Sequence, residues 1–394
     1  MSLSNLESGF GQRTARGAGT DSTRRPLRVP APRQSPVSTL ARGSGAAHNH
    51  FVPVDENGSR KALRMIPCAA CGTTLFLPGD AAPLSFVPCT KCGAPVMMPM
   101  RLRQFELRAP IGSGGMGAVY RAFDVTLERE VAVKLVKREL MNDEHAMEGF
   151  YREARACARL NHTNIIHLYT FDEWEGQMYL VMELADRGSL DGRIEKGRVP
   201  ELEVLDVGIK VASALNTALK HGLLHRDIKP GNILFNADGE PKLVDFGLAR
   251  RADAEQEADG TVWGTPYYIA PEKVRRERED FLSDMYSLAG TLYHAITQHV
   301  PFEAPSVEEV VGAHVHTPLT PPNYVVHEIT HPTSDAIARA MAKHPGERFQ
   351  SYDEFIMALE AARSQYLVGR FVNRIQPSSP KKTTGGIASW FRRA

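Results

Sequence analysis

Two short polar runs constrain this 394-residue chain more than any other feature. Residues 225–232 read HRDIKPGN, and the tripeptide Asp245-Phe246-Gly247 follows in the next segment. The first run contains a carboxylate that can accept a hydroxyl proton, a lysine and an amide, and the second contains a carboxylate that can hold Mg²⁺. Phosphoryl transfer needs such groups because it depends on positioning and on neutralising charge. The two runs therefore predict a site of that kind.

Composition and charge narrow the class of protein. An apolar content of 42% and a charged content of 24% are typical of a globular chain, and a net charge of +1 gives no argument for nucleic acid or membrane. No apolar run is long enough for a transmembrane helix, and the N-terminus lacks the features of a secretory signal. Four of the five cysteines are paired as CxxC, which favours a metal site in a reducing compartment. We therefore expect a cytoplasmic location.

The two ends of the chain differ in composition from its middle. Residues 1–60 are rich in Ser, Gly, Pro, Thr and Arg without apolar periodicity, which predicts a disordered segment; Glu7, Asp21 and the prolines argue against a transit peptide. Residues 363–394 begin as a basic helix extension and continue as a Ser/Pro/Lys/Gly tail. Trp390 and Phe391 beside arginines allow weak peripheral contact with an anionic bilayer, although a solvated tail is the simpler interpretation.

Residues 64–100 are predicted to form a small metal-binding module. Two near copies of a CxxCG motif bring together Cys68, Cys71, Cys89 and Cys92. Two such turns supply four sulfurs in a tetrahedron, a set that selects Zn²⁺ or else iron. The segment looks like a zinc ribbon, and its zinc can simply replace the core that so short a segment cannot build. A binding role toward a protein or a nucleic acid is the alternative, and of the two a docked protein partner is favoured.

Residues 105–362 read as one folded α+β domain in two parts. A β-rich part comes first and a helical part follows, which predicts a bilobal architecture. The predicted strands and the helix between them lie at 105–110, 119–123, 130–136, 148–159 (helix), 165–170 and 178–183. The later predicted helices lie at 202–220, 280–297, 307–315, 334–343 and 352–361.

Two motifs in the β-rich part suit phosphate binding. Residues 112–117 read GSGGMG between two predicted strands, and glycines let backbone amides close over phosphates. Such a run can also open a dinucleotide-binding fold, but no helix follows it directly. The strand VAVK ends in Lys134, which we expect to face the cleft and neutralise phosphate charge.

Together these motifs resemble those of eukaryotic-type (Hanks-type) serine/threonine protein kinases over about two-thirds of the chain. The Gly-Gly-Met-Gly run is similar to that of bacterial members. The resemblance implies an α+β bilobal kinase fold, with a β-rich N-lobe and a helical C-lobe, preceded by the small zinc ribbon. It also implies ATP, with Mg²⁺ or Mn²⁺, as the cofactors of the domain.

The resemblance assigns roles to the polar residues. Asp227 accepts the proton of the attacking hydroxyl, and Lys229 neutralises the γ-phosphate. Asn232 and Asp245 hold Mg²⁺. Lys134 pairs with a helix carboxylate, which we expect to be Glu153 rather than Glu148 because Cys157, one turn beyond it, matches a buried apolar position of the family. The residues expected around ATP are Ile111, Gly112, Ser113, Gly114, Gly115, Met116, Gly117, Val119, Ala132, Lys134, Glu183, Ala185 and Leu234.

The later motifs resemble a peptide-positioning segment. Residues 264–272 read GTPYYIAPE, in which Thr265 is implied to hydrogen-bond Asp227 and Lys229 and to indicate Ser/Thr specificity. Glu272 needs a buried partner, and Arg348 matches the one that the family uses. Asp284 matches the helix residue that fixes the catalytic-loop backbone. Tyr286 and Ala289 depart from the Trp and Gly that are frequent there.

Thr261 is the candidate phosphorylation site of the loop between residues 245 and 272. Apart from Thr265 and tyrosines, it is the only hydroxyl residue of that loop. Arg226 and Arg250 can bind a phosphate placed there and so order the loop. The alternative is that Thr261 is never modified and the loop orders on substrate binding.

The sequence therefore predicts a serine/threonine protein kinase of the non-specific type, which transfers the ATP γ-phosphate to Ser or Thr of protein substrates and autophosphorylates at Thr261. One alternative is an enzyme of this fold that acts on small molecules, which residues 264–272 and Arg348 argue against. The other is a catalytically weak adaptor whose zinc ribbon docks a partner.

Overall fold

A computed structural model describes residues 63–78, 81–114, 117–141, 144–246 and 266–375, apart from some side chains in two helices and in the first two strands. The described residues belong to one compact unit, Ala62–Ala394. Several predictions lie outside these residues, namely disorder in 1–60, the tail from 376 onward, and the roles of Gly115, Met116, Thr261 and Thr265.

The cysteine module consists of two antiparallel hairpins. The first pairs β1 (Leu63–Pro67) with β2 (Thr74–Pro78), and the second pairs β3 (Phe86–Pro88) with β4 (Pro95–Met97). Each hairpin carries one CxxC turn at its tip. We call residues 63–98 the ribbon.

The N-lobe is a six-stranded antiparallel sheet with strand order β5-β6-β7-β8-β10-β9. Alternate apolar residues of its central strands, such as Val131 and Val133, are fully buried, as the period of a strand requires. Two helices, α1 (Arg138–Met141) and α2 (Glu144–Arg159), follow β8. The strands are β5 (Met100–Leu102), β6 (Phe105–Ser113), β7 (Gly117–Asp124), β8 (Arg129–Val136), β9 (Leu168–Trp174) and β10 (Gln177–Met182).

The strand predicted at 165–170 begins later, at Leu168. Ile165 and Ile166 pair instead with Leu243 of the C-lobe, where the Ile166 amide donates to the Leu243 carbonyl over 3.0 Å. Both isoleucines are buried there. The apolar pattern was therefore correct about burial, but it could not show which sheet would receive these residues.

The ribbon and the N-lobe meet at two consecutive methionines. Met97 is buried in the N-lobe core with Leu102 and Leu107, whereas Met98 is buried in the ribbon core with Leu75. Strand β5 then continues from the ribbon as the edge strand of the N-lobe sheet. Because adjacent side chains of an extended chain point to opposite faces, one segment serves both cores.

The C-lobe is mainly helical around a small hairpin. Strands β11 (Ile233–Phe235) and β12 (Pro241–Leu243) pair antiparallel. The helices of the lobe are α3 (Leu190–Ile194), α4 (Glu201–Lys220), α5 (Pro271–Val274), α6 (Phe281–Thr297), α7 (Val307–His316), α8 (Pro322–Val325), α9 (His331–Ala340) and α10 (Tyr352–Ile375).

Helix α6 lies at the centre of the C-lobe and is buried along most of its length. Asp280 caps its N-terminus by accepting a hydrogen bond from the Leu282 amide over 2.8 Å. Helix α4 approaches α6 and α10 closely at Gly208, where a Cβ would lie 2.8 Å from Leu292 and 3.1 Å from Leu359. The predicted architecture, a β-rich lobe followed by a helical lobe, is confirmed. No helix among the described residues is both long and apolar enough to cross a bilayer.

Candidate active site

The carboxylate of Asp227 is held between two neighbouring side chains of its own loop. Lys229 Nζ lies 2.8 Å from Asp227 Oδ2, and Asn232 Nδ2 donates to the same oxygen over 3.0 Å. Asn232 also donates to the Asp227 main-chain carbonyl over 2.7 Å. A one-turn 3₁₀ helix, Pro230–Asn232, brings the amide back to the carboxylate. The run predicted from the sequence therefore closes into a compact polar cluster.

Buried Asp284 of α6 fixes the backbone of this loop. Its two carboxylate oxygens accept hydrogen bonds from the His225 and Arg226 amides, each over 2.7 Å. Complete burial raises the pKa of Asp284, and the two amide donors oppose that shift. Arg226 has a φ of +65°, a strained conformation for a residue other than glycine. The paired hydrogen bonds explain how the loop keeps this conformation.

His225 has a structural environment. Its ring packs on Phe246 with 4.6 Å between ring centroids, and its Nε2 lies 3.0 Å from the Val244 carbonyl oxygen. The residue is fully buried. These contacts join the loop of Asp227 to the segment that carries Asp245.

The β11–β12 hairpin brings Asn232 and Asp245 to the same end. Ile233 pairs with Leu243, and the Val244 amide donates to the Asn232 carbonyl over 3.0 Å. Asn232 and Asp245, which lie just outside the two paired strands, are therefore close together although the hairpin separates them in sequence. Asp245 has a φ of +58°, and its Oδ1 lies 3.2 Å from Lys134 Nζ. The hairpin and β8 thus place two carboxylates, an amide and two ammonium groups around one cleft.

The glycine run lies between the paired strands β6 and β7. Gly112 pairs with Val119, and the Gly114 amide donates to the Gly117 carbonyl over 2.8 Å. Gly117 is required by packing, because a Cβ there would lie 1.9 Å from the Leu135 carbonyl oxygen. Ser113 pairs with Ala118 at the tip of the hairpin.

The residues predicted to contact adenine lie on β6, β7, β8 and β11, and in the segment that follows β10. Ala132 is buried, while Val119 and Leu234 are half-buried and Ile111 is exposed. Among the described residues, neither the Glu183 carbonyl nor the Ala185 amide makes a backbone hydrogen bond. Both groups can therefore bind the edge of a base.

An ion pair between buried Lys242 and half-buried Glu183 was missed by sequence reasoning. Lys242 Nζ lies 2.6 Å from Glu183 Oε1, and the His167 amide donates to Glu183 Oε2 over 3.3 Å. Lys242 sits between Pro241 and Leu243 in a buried strand. A lysine in a short apolar strand was the available signal, but only the fold shows that its partner is Glu183.

Glu272 and Arg348 form a fully buried, bidentate pair. The two Arg348 terminal nitrogens lie 2.7 and 2.8 Å from the two Glu272 oxygens. Ser283 Oγ donates to Glu272 over 2.6 Å. Burial alone would raise the pKa of Glu272, but the hydrogen bonds and charge of Arg348, together with Ser283, hold the pKa below its usual value. The structure therefore brings this predicted pair together.

Tyr286 makes a second buried polar contact in the C-lobe. Its hydroxyl lies 2.9 Å from Nδ1 of buried His314 on α7, and its ring lies 4.9 Å from the Arg348 guanidinium. Burial and the Lys343 charge lower the pKa of His314 to about 3. A tyrosine hydroxyl buried in the core needs a hydrogen-bond partner, and His314 is that partner. The sequence showed that Tyr286 departs from the Trp that is frequent at this position, but it did not show that His314 would be its partner.

The four ribbon cysteines converge as predicted. All four sulfurs lie within 4.8 Å of one another, and the Cys68–Cys92 and Cys71–Cys89 pairs are 3.7 Å apart. A tetrahedral zinc site with Zn–S bonds of about 2.3 Å requires sulfurs about 3.8 Å apart. The donor set and the spacing therefore fit a metal of this kind.

The CxxC turns are shaped by their glycines. Gly72 and Gly93 have φ angles of +71° and +73°, and their amides donate to the Cys68 and Cys89 carbonyls. Hydrogen bonding to Thr73 lowers the pKa of the Cys71 thiol to about 6, which favours the thiolate that binds metal.

Some predicted residues remain outside this description. Glu153 lies on α2, but its side chain is not among the described ones, and neither are Gly115, Met116, Thr261 and Thr265. Cys157, one turn after Glu153, is buried in the core cluster that contains Phe246.

Comparison with known proteins identifies the fold. A family model described as "Protein kinase domain" matches residues 105–366. A probable serine/threonine-protein kinase of Clostridium perfringens is 37% identical over 259 residues, which are 65% of this chain and 38% of that protein. Serine/threonine-protein kinase PknL of Mycobacterium tuberculosis is 34% identical over 270 residues, 68% of each protein.

PknK of the same species is 39% identical over 242 residues, 60% of this chain but 22% of that protein. The first relatives are matched over 38% to 42% of their own length, so the chain spans about two-fifths of them. The match covers more than half of this chain, and it includes the loop of Asp227, the glycine loop and the Glu272–Arg348 pair. This chain therefore belongs to the protein kinase domain family.

Proposed function

We propose that this chain is a serine/threonine protein kinase of the non-specific type, which transfers the γ-phosphate of ATP to Ser and Thr hydroxyls of protein substrates. The observation that carries the proposal is the Asp227 cluster, with Lys229 at 2.8 Å and Asn232 at 3.0 Å from one carboxylate oxygen. The names of the relatives support the same activity.

Each polar group of the cleft has a task in such a reaction. Asp227 accepts the proton of the attacking hydroxyl, while Lys229, beside it, neutralises charge on the transferred group. Lys134 neutralises the other phosphates from β8. The Asp284 hydrogen bonds keep the loop of Asp227 in one conformation, so that the carboxylate does not have to be ordered during the reaction.

The metal-binding oxygens fit Mg²⁺ or Mn²⁺. Asn232 and Asp245 offer an amide oxygen and a carboxylate, the hard donors that these ions prefer, at the same end of the β11–β12 hairpin. A bound ion would spread the negative charge of the phosphates. Asn232 Nδ2 is already directed at Asp227, which leaves its Oδ1 for the ion.

Protein substrates are favoured over small molecules by the region around Glu272. The buried Glu272–Arg348 pair fixes the start of α5, directly after the 3₁₀ turn Pro266–Tyr268. Tyr267 is partly exposed on that turn. A rigid, accessible surface beside the catalytic loop suits an extended peptide better than a metabolite. Thr265 directly precedes this 3₁₀ turn, and we propose that it supports the selection of Ser or Thr as the phosphorylated residue.

The ribbon is proposed to hold one Zn²⁺ through Cys68, Cys71, Cys89 and Cys92. The spacing of the four sulfurs supports zinc. Reduced thiols and ATP are both available in the cytoplasm, which we propose as the location. The ribbon then offers a place for a protein partner to dock.

We also propose that the kinase phosphorylates itself at Thr261. Arg226 and Arg250 would bind the phosphate and order the loop. The test is mass spectrometry of the purified chain and of Asp227→Asn after incubation with Mg²⁺ and ATP. Phosphate on Thr261 and on an added mixture of Ser/Thr peptides is expected with the wild type only.

Asp238→Asn is the matched control because Asp238 is exposed on the turn of the same hairpin; it should keep full activity. Bound ATP without any phosphate transfer by the wild type would contradict the proposal and favour the adaptor. Transfer to metabolites, but to no peptide, would favour the small-molecule alternative.

A further inference from the structure

Helix α10 continues well beyond the core that it helps to build. Among the described side chains of the helix, Ala362 is the last that is fully buried, yet the helix runs on to Ile375. Four large apolar side chains in this extension are exposed, namely Leu367 (47%), Val368 (62%), Phe371 (66%) and Val372 (47%). We call these four residues the α10 stripe. An exposed apolar cluster of this size requires an explanation.

The stripe occupies one face of the helix. At 100° per residue, the spacing of its four members confines them to a sector of about 140°. The buried residues Phe355, Leu359 and Ala362 point roughly the opposite way, toward the lobe. The stripe is therefore directed away from the C-lobe, and all of it lies beyond residue 366, where the kinase family match ends.

Charge changes sharply along the same helix. Its first half carries Asp353, Glu354 and Glu360, but no acidic residue occurs from 361 to 394. Arg363 pairs with Asp206 over 2.8 Å, and Arg370 borders the stripe beside Tyr366. The sequence after the helix adds four more basic residues, Lys381, Lys382, Arg392 and Arg393.

We propose that the α10 stripe is a docking surface for an anionic lipid bilayer. A short helix with a bulky apolar sector and bordering arginines lies readily in a membrane interface, with its apolar side chains among the acyl chains. Anionic headgroups then attract the arginines and the lysines that follow. The stripe is not suited to a second copy, because pairing two stripes would bring like charges together.

This surface is independent of the proposed catalysis. It lies on the C-terminal extension of the C-lobe, and none of its residues belongs to the cleft of Asp227. An Asp227→Asn variant should therefore bind vesicles as the wild type does, so failure of one proposal does not imply failure of the other.

The test is co-sedimentation of the full chain with vesicles of phosphatidylcholine alone or with one quarter phosphatidylglycerol. We expect binding to the anionic vesicles only, weakened by salt because surface charges are screened. The double variant Val368→Asp/Phe371→Asp should lower the partition coefficient at least about tenfold, since two apolar groups that would insert into the bilayer are lost.

Met357→Asp is the matched control. Met357 is 61% exposed on the same helix, but it lies in the acidic half. This variant should bind the vesicles as the wild type does, and circular dichroism should show all three proteins equally folded. Arg370→Gln should reduce binding to anionic vesicles by a few fold.

Three results would overturn the proposal. The first is equal sedimentation of the wild type with neutral and anionic vesicles, or none with either. The second is unchanged binding of the double variant together with lost binding of Trp390→Ser, which would assign the contact to the tail. The third is a dimer in sedimentation velocity that the double variant abolishes, without lipid binding, which would assign the stripe to a second copy.

Discussion

The ribbon and the C-lobe are held together in different ways. The ribbon buries six residues in its own core, and two of them are the cysteines Cys68 and Cys89. The C-lobe core is far larger and extends through α4, α6, α9 and α10. A module as small as the ribbon cannot bury enough apolar surface to offset the loss of chain entropy, and we propose that a bound metal supplies the difference. The C-lobe has no such need, and its polar interior serves to position groups.

The two regions also differ in how they use buried polar groups. In the ribbon, we propose that the four sulfurs determine folding by binding the metal. In the C-lobe the Glu272–Arg348 pair and the Tyr286–His314 contact are embedded in a core that apolar burial already stabilises. Removing the metal should therefore unfold the ribbon, whereas removing one buried polar partner should weaken the C-lobe without dissolving it.

The largest effect should come from removing the metal. A structural zinc contributes on the order of 10 kcal/mol to the folding of a small module. After chelation, hydrogen exchange should show that amides of residues 63–98 lose protection, while those of α6 keep it. Protection in β5 will show how far the loss spreads through Met97 into the N-lobe sheet.

Cys89→Ser should reproduce the effect of the chelator. Cys157→Ser is its control because Cys157 is a buried cysteine outside the ribbon; this variant should keep its zinc. Full protection of the ribbon amides after complete loss of metal would show that the comparison is wrong.

The next largest effect should follow from Glu272→Gln. This change leaves the Arg348 guanidinium fully buried without a counter-charge, and breaking a buried pair in this way costs about 3–5 kcal/mol. Urea denaturation followed by fluorescence should show the loss. Glu328→Gln removes an exposed partner of Arg198, 3.3 Å away, and should cost less than about 1 kcal/mol. Similar losses for both variants would contradict the role given to burial.

The smallest effect should be a pH dependence that arises from His314. Its pKa is lowered to about 3, whereas a histidine in the unfolded chain titrates near about 6.5. Below that value the unfolded state binds a proton that the folded state excludes. Stability that is fully present above pH ~6.5 is therefore lost as pH falls toward 3, by at most about 1.4 kcal/mol per pH unit.

Denaturation of the wild type and of His314→Gln between pH 7 and pH 4 should reveal this dependence as a difference in slope. His316→Gln, an exposed residue of the same helix, should leave the slope close to that of the wild type. Parallel curves for the wild type and His314→Gln would rule out the buried histidine as the source.

Much of the cleft could be predicted from local patterns. Asp227, Lys229 and Asn232 lie within six positions, so one loop can bring them together, and the structure places them within 3 Å of a shared oxygen. The spacing of the two CxxC turns likewise predicted four converging sulfurs. Patterns of this kind are readable because the chemistry requires particular residue types at short separations.

Contacts between residues distant in sequence were harder to predict. The pairing of Lys242 with Glu183 joins β12 to the segment after β10, and that of Tyr286 with His314 joins α6 to α7. Neither partner could be chosen from the sequence, because several residues of each type are available. Ile165 and Ile166 were correctly expected to be buried, yet they pair with the C-lobe hairpin.

The sequence by itself determined the lobes of this protein, the polar residues of its cleft and the four cysteines whose sulfurs converge in its ribbon. Only the tertiary structure decided that Met97 and Met98 serve two different cores, and that the α10 stripe is left uncovered. The physical reason is that residue type and periodicity specify which side chains avoid water and which carry charge, whereas the packing of distant elements selects the partner that each one meets.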